Sequence, residues 1–257
     1  MENGMSRMEG IHGNFCLCLS LAFAAARANR LPGIRTSISQ DSRFFNLQLW
    51  KFTFLCVMRI IAGKWRGIRL LSPPGTQTRP ILDHVKEAVF NILGAKLAEP
   101  GRIPPCRVLD LFAGTGSLGL EALSRGASFC TFVEKHPATA GRLRENLQKV
   151  KAGELGEVRV ADALKRSFAQ TNPAEAWELV FVDPPYDLAR SFGRDTPIWR
   201  LIDRLASEAV LNPQATVVLR HPKKTDCTAS TFEQLQFVDQ RSYGQMTISV
   251  FELDSVA

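Results

Sequence analysis

The spacing of hydrophobic positions changes character part-way along the chain. From Met58 to Leu71 the sequence reads MRIIAGKWRGIRLL, short apolar pieces around Gly63 and Gly67. This predicts a small β-hairpin, ended by Pro73, Pro74 and Gly75. Asp83 then stands as the N-cap of a helix over 84–98, where Val85, Val89, Ile92 and Leu93 recur at helical spacing. The stretch from Pro100 to Pro105 reads as a linker. From Arg107 onward the pattern alternates. Strands are expected at 108–112, 129–134, 157–161, 178–182 and 216–220, and helices at 117–125, 137–150 and 198–210. Two further strands, 237–242 and 246–253, are joined near Gly244. Runs such as VLDLF and ELVFV are apolar without alternation, as strands buried on both faces are. The expected fold class is α/β, a mostly parallel sheet covered on both faces with an antiparallel terminal hairpin.

Composition narrows the class. The 257 residues carry 32 Lys and Arg against 25 Asp and Glu, a net charge of +7. Apolar residues make up 45% and charged residues 22%, which excludes a disordered chain, a collagen, a coiled coil and a polytopic membrane protein. The excess of base suits a polyanionic partner without identifying one. Six cysteines are too few for a disulfide scaffold. Cys16 and Cys18 are close, and Cys56, Cys106, Cys130 and Cys227 are scattered. With no Cys-x-x-Cys and no His-Glu-x-x-His, no metal site is expected, and the cysteines read as free thiols in a reducing cytosol.

Residues 1–57 stand apart from residues 58–257. Phe15 to Ala26 is an apolar run too short to span a bilayer. It resembles a signal-peptide core, but Glu2 and Glu9 outweigh Arg7 before it. Arg27, Arg30, Arg35 and Arg43, with serines and only Asp41 as an acid, fit an organellar transit peptide. The favoured expectation is that Met58 is the true start, with residues 1–57 being upstream sequence read in frame, which leaves 200 residues as the domain. The domain is then expected in the cytoplasm, with organellar import left open.

The run DLFAGTGSLGLEAL begins at Asp110, at the end of the first main strand, and enters a helix. Its glycines are Gly114, Gly116 and Gly119. A strand, a glycine-rich turn and a helix make a nucleotide site, because glycine permits a sharp turn and a close approach of ligand to backbone. Glu134 follows Gly114 by twenty positions and ends the next strand, where a carboxylate accepts both ribose hydroxyls. The Gly-x-Gly-x-x-Gly spacing brings in a dehydrogenase as a rival. Asp110 weighs against it, since an acid before the turn repels pyrophosphate and suits the cationic amino-acid end of S-adenosylmethionine. Asp162 follows the third strand, placed either to meet an adenine amine or to cap the segment after it. The expected cofactor set is Asp110, Phe112, Ala113, Gly114, Gly116, Glu134, Lys135, Asp162 and Ala163.

After the fourth strand comes Asp183-Pro184-Pro185-Tyr186. The two prolines stiffen the loop and remove two N–H donors. What remains is a carboxylate, backbone carbonyls and an aromatic ring, a clamp for a planar molecule bearing an exocyclic amine. Asp183 and the Pro184 carbonyl accept from the amine while Tyr186 stacks on the ring. Holding the amine protons on acceptors raises electron density on nitrogen and aims it at a sulfonium methyl. The plain alternative is a turn that merely ends a strand.

Taken together, the glycine turn, Glu134, Asp162 and DPPY resemble the class I S-adenosylmethionine-dependent amino-methyltransferases. MRIIAGKWRG, with RP..D.V.E..FN.L from Arg79 to Leu93, is similar to the bacterial RsmD-type guanine-N2 methyltransferases of small-subunit ribosomal RNA. The resemblance covers about residues 58–253. It implies the Rossmann-like seven-stranded methyltransferase sheet, S-adenosylmethionine as cofactor and N2-methylguanine in 16S rRNA as product. The chain departs from the pattern at Ile81, where threonine is usual, and at His84 and Lys86, where arginines are usual.

Arg59, Lys64, Arg66 and Arg69 surround Trp65, a pattern that grips phosphate and stacks on bases, or else a solvated hairpin with a buried Trp. With Arg79, and with Arg190 in the loop after DPPY, they form the expected RNA-binding set. The expected partner is small-subunit rRNA, either naked or within a partly assembled subunit, met by a monomer with no membrane. Rival functions are an adenine-N6 methyltransferase on DNA or RNA, a protein-glutamine methyltransferase, a dinucleotide-dependent dehydrogenase and a non-catalytic ribosome-assembly factor.

Overall fold

The computed structural model describes residues 58–73, 83–97, 99–168, 172–208, 210–228 and 232–253. The chain divides into two units, Met1–Phe54 and Leu55–Ala257. The reading of residues 1–57 therefore falls outside the described residues, as do Arg79 and Ile81.

Four helices and seven strands are named in chain order. They are α1 (Asp83–Lys96), β1 (Arg107–Leu111), α2 (Ser117–Arg125), β2 (Phe129–Glu134), α3 (Pro137–Lys149), β3 (Gly156–Val160), β4 (Trp177–Val182), α4 (Pro197–Ser207), β5 (Leu211–Pro222), β6 (Leu235–Tyr243) and β7 (Met246–Leu253). The strands form one sheet in the order β3-β2-β1-β4-β5-β7-β6. The first five are parallel, and β7 pairs antiparallel with both β5 and β6. This is the expected sheet with its antiparallel edge.

Both faces of the central strands β1, β2, β4 and β5 are buried, as the unalternating apolar runs require, while the edge strands β3 and β6 are mostly half-buried or exposed. Val108, Phe132, Phe181 and Val218 pack with Phe90, Leu120, Leu143 and Leu147 on one side. Leu109, Leu111, Val180 and Leu219 pack with Ile198, Leu201, Ile202 and Leu205 on the other. The odd and even residues of each strand thus serve different cores.

Three local expectations are corrected. Asp83 lies in the first turn of α1 and not before it, and its Oδ2 accepts from Arg59 Nε at 2.8 Å. Strand β5 begins at Leu211, earlier than its apolar centre suggests. Asn212, Pro213 and Gln214 hide its start because their side chains carry no strand signal, yet Leu211 pairs with Trp177. Helix α4 ends sooner than expected, at Ser207, with Glu208 as its C-cap.

The 58–71 segment is the expected hairpin, reduced to one bridge between Arg59 and Arg69. It is held by helices and not by a sheet. Ile61 N and Ala62 N donate to the two oxygens of Glu121 at 2.8 and 2.9 Å, and Trp65 N donates to Ser124 Oγ at 3.0 Å. Gly63 has φ of +79°, and a Cβ there would stand 1.9 Å from the Ser124 carbonyl oxygen, so this turn admits only glycine.

Candidate active site

Strand order reverses between β1 and β4, and the crevice at such a reversal is where open α/β sheets bind ligands. Along the carboxyl edge the chain sets Asp162 after β3, Glu134 ending β2, the glycine turn after β1, Asp183 after β4, and Arg220 near the end of β5. The predicted cofactor residues and the DPPY loop are therefore neighbours. The register pairs Leu111 with Val182, and Asp183 N donates to Leu111 O at 3.5 Å.

The turn itself is built from left-handed backbone. Phe112, Gly114 and Gly116 have φ of 61°, 57° and 89°. A non-glycine residue with positive φ is uncommon and marks a conformation imposed by its surroundings. Ala113 N donates to Val133 O at 3.0 Å, which ties the turn to β2. A Cβ on Gly114 would meet nothing within 4 Å, so the backbone there faces open space. Gly119 has a different task. A Cβ there would lie 2.3 Å from a Phe132 ring carbon, so Gly119 lets α2 press onto β2.

Glu134 is buried, with Oε2 accepting from Gly114 N at 3.0 Å and Oε1 from His136 N at 2.7 Å. A carboxylate has about four lone-pair sites, so two remain for a ligand's hydroxyls. Of the two roles the sequence suggests for Asp162, the structure shows the capping one. Its Oδ1 accepts from Leu164 N at 3.1 Å, organising the turn after β3, and its Oδ2 pairs with Lys135 Nζ at 3.1 Å. Partial burial alone would raise its pKa, but Lys135 and the Leu164 N–H outweigh this and lower it. Ala163 is buried, and its carbonyl accepts from Arg204 Nη2 at 3.0 Å.

Asp110 is 1% exposed, and its Oδ2 accepts from Gly119 N at 2.9 Å. The carboxyl thus pins the start of α2 to β1. Burial pushes it up to about 8, the Asp183 and Glu134 charges add to this, and the Gly119 bond opposes it. An unfolded Asp titrates near pH ~3.9. Between those two values the folded state holds the extra proton, so the free energy of unfolding falls as pH rises. Asp110→Asn keeps an oxygen for Gly119 N. Its stability in urea titrations is expected to fall less than that of the wild type from about pH 4 to 8. Parallel curves would remove this account of Asp110.

Asp183 is partly buried. Its Oδ1 takes a bond from Arg220 Nε at 2.5 Å. Pro184 is buried, while Pro185 and Tyr186 are exposed at the rim, Tyr186 by 53%. The Arg190 guanidinium lies 5.0 Å from the Tyr186 ring centroid and pairs with Asp187 at 3.2 Å. The loop therefore presents an aromatic face and a cation beside the carboxylate.

The basic ribbon is not gathered there. Its tip, with Lys64, Trp65 and Arg66, is bound to Ser124 in the last turn of α2, the far end from the glycine turn. Trp65 is half-buried against the core, with Lys64 Nζ 4.3 Å from its ring centroid. Arg59 is paired with Asp83, and Arg69 is exposed. Only the base of the ribbon nears the turn. Asn146, fully buried on α3, accepts from Leu71 N at 2.8 Å and donates to Thr115 O at 3.0 Å.

Sequence reasoning missed Arg220, Asn146 and the Glu121 cluster. Glu121 is fully buried, with Lys86 Nζ at 3.3 Å from Oε2 and Arg125 Nε at 2.9 Å from Oε1. Lys86 also donates to Arg59 O. This is how the chain uses lysine where arginine is usual. The only sequence signal for Arg220 is a charge closing the apolar run VVL, a signal that solvated strand ends share.

The family model described as Conserved hypothetical protein 95 matches residues 58–252. The chain belongs to that family, the RsmD-type methyltransferases. Ribosomal RNA small subunit methyltransferase D of Escherichia coli (strain K12) is 40% identical over 129 residues, 50% of this chain and 60% of that protein. A Bacillus subtilis (strain 168) protein, provisionally named rRNA methyltransferase YlbH, is 29% identical over 195 residues, 76% of this chain and 98% of its own length. The solved structure of the Escherichia coli protein yhhF, provisionally named a methyltransferase, superposes with a TM-score of 0.61 at 30% identity. It covers 77% of this chain and 98% of its own. The match begins at Met58, so the RsmD-type relationship rests on the described unit.

Proposed function

We propose that this chain methylates the exocyclic N2 amine of a guanine in small-subunit rRNA, with S-adenosylmethionine as methyl donor. The observation that carries the reading is the β1–β4 register, which sets Asp183 beside the glycine turn. The relatives named as rRNA methyltransferases support the substrate. The described residues suit the donor: open space over Gly114, spare lone pairs on Glu134, and an ionised Asp162 next along the edge.

When bound, S-adenosylmethionine supplies an electrophilic methyl on a sulfonium sulfur. The chain's residues hold and orient. Glu134 accepts from the ribose hydroxyls, and Asp162 from the adenine amine. Phe112, Ala113, Gly114, Gly116, Lys135 and Ala163 shape the rest of that pocket. Asp183 and the Pro184 carbonyl accept hydrogen bonds from the two N–H groups of the guanine amine, which turns its nitrogen lone pair toward the methyl. Tyr186 stacks on the base. Asp183 need not be a strong base, because the proton leaves after the methyl arrives. Arg190 sits at the rim for a phosphate beside the extruded base. Arg59, Lys64, Trp65, Arg66 and Arg69 serve as a more distant RNA surface, and Arg79, outside the described residues, is proposed to bind RNA as well.

On this reading the enzyme works as a monomer, without metal, in the cytoplasm, on a partly assembled subunit. No helix among the described residues is long and apolar enough to cross a membrane.

The test is a labelled-methyl transfer assay on unmodified small subunits and on protein-free rRNA, followed by digestion to nucleosides. Label in N2-methylguanosine supports the reading, and label in N6-methyladenosine overturns the base. Equal rates on the two substrates would remove the need for a partly assembled subunit. A separate check concerns Glu134. Glu134→Gln keeps the shape but loses the charge and one acceptor, so S-adenosylmethionine affinity by calorimetry is expected to drop about 10- to 100-fold. Unchanged affinity would remove Glu134 from the donor site.

A further inference from the structure

We propose that Arg220 reads the O6 oxygen of the target guanine and is the residue that separates guanine from adenine. The proposal rests on the guanine-N2 reading above and deepens it. It comes from the sheet register. Val182 pairs with Leu219, so the next positions, Asp183 and Arg220, stand opposite each other on neighbouring strands. Both lie on the face shared by Phe181 and Val218. Arg220 Nε reaches Asp183 Oδ1 at 2.5 Å, with the two side chains only 18% and 16% exposed.

A guanidinium has five N–H donors, and Asp183 takes one. Among the described residues, no hydrogen bond takes the two Nη groups. These Nη groups are not among the buried unpartnered atoms, so they keep access to solvent and are open to an acceptor on a ligand. Beside it stands a carboxylate, which only accepts. The pair therefore presents acceptor and donor side by side, fixed by their mutual bond.

Guanine offers the matching order along one edge. Its N2 amine and N1–H donate, and its O6 accepts. With the amine on Asp183 and the Pro184 carbonyl, O6 falls toward the neighbouring guanidinium. Adenine, with its single N6 amine held in the same clamp, presents C2–H where guanine presents O6, so Arg220 would lose water there without gaining an acceptor. The clamp of Asp183, Pro184 and Tyr186 alone fits either base, so the discrimination needs a donor, and Arg220 is placed to supply it. Exposed Arg190, outside the carboxylate pair, is better placed for phosphate.

The experiment uses the full-length protein and reconstituted small subunits. Their rRNA is ligated to carry either guanine or 2-aminopurine at the position that the labelled assay identifies. 2-Aminopurine keeps the N2 amine and lacks O6. Wild type is expected to lose about 10- to 100-fold in kcat/KM on 2-aminopurine. Arg220→Gln is expected to lose a similar factor on guanine, and its guanine to 2-aminopurine ratio is expected to shrink at least tenfold. Arg220→Lys, which keeps one charged donor, should fall between. A ratio as large in Arg220→Gln as in wild type overturns the proposal, because Arg220 then acts only by holding Asp183. Equal wild-type rates on the two bases overturn it without any variant, which covers an Arg220→Gln protein that fails to fold. Wild type inactive on guanine itself, in subunits ligated the same way, brings down the guanine-N2 reading and this proposal together.

Discussion

Asp183→Ala is expected to lower the rate of methyl transfer about 100- to 1000-fold, the scale seen when a preorganised electrostatic partner of a reacting group is removed. The reason is local. The loop offers the amine two acceptors, the Asp183 carboxylate and the Pro184 carbonyl, and the prolines have removed competing N–H donors. Without the carboxylate the amine is neither turned nor polarised, and Arg220 loses the partner that holds it at 2.5 Å. Asp183→Asn keeps one accepting oxygen and should lose less. Binding of S-adenosylmethionine should be unchanged in both, because the Gly114 and Glu134 contacts do not involve this side chain. Single-turnover transfer of labelled methyl on unmodified small subunits, beside calorimetry of the donor, separates the two quantities. A wild-type rate in Asp183→Ala would end the mechanism.

The second large effect is on stability. Glu121 balances two buried cations, Lys86 at 1% exposure and Arg125 at 7%, and accepts from two backbone N–H groups of the ribbon. Glu121→Ala leaves all four without their partner. Breaking a buried ion pair from one side costs about 3–5 kcal/mol, a large part of the ~5–15 kcal/mol that holds a typical domain. The loss should be read in urea unfolding followed by circular dichroism. Lys86 adds a pH signature. Burial lowers its pKa, and Glu121 opposes that shift. Without Glu121 the folded lysine sheds its proton earlier than the unfolded one. The unfolded state then binds more protons, and the variant regains stability as pH rises. A variant within about 1 kcal/mol of wild type, the scale of exposed pairs, would show that the cluster is not structural.

The residues that were legible from sequence share one property. Their signal is local in the chain. The boundaries of α2 and β2 follow from the glycines and apolar runs beside them, and the sequence reading matches both. The turn at Gly114 and Gly116 is legible because only certain residues tolerate its backbone, and DPPY because two adjacent prolines leave few conformations. Strand β5 was read short for the converse reason. Its first residues are held by Trp177 on β4 and not by their own preference.

What the sequence by itself determined is the set of elements, their alternation and the two motifs at strand ends, since each depends on the period and conformational freedom of consecutive residues. Tertiary structure alone decided the pairings. Asp183 meets Arg220 across a sheet register, Lys86 meets Glu121 across two helices, and Asn146 joins Leu71 to Thr115 over 75 and 31 positions. It also decided that the tip of the basic ribbon stands away from Asp183, because Gly63 and Ser124 fix where that ribbon lies. A charge at a strand end or on a helix face looks the same in the sequence whether it faces water or a buried partner. Burial, set by residues far away in the chain, makes the difference.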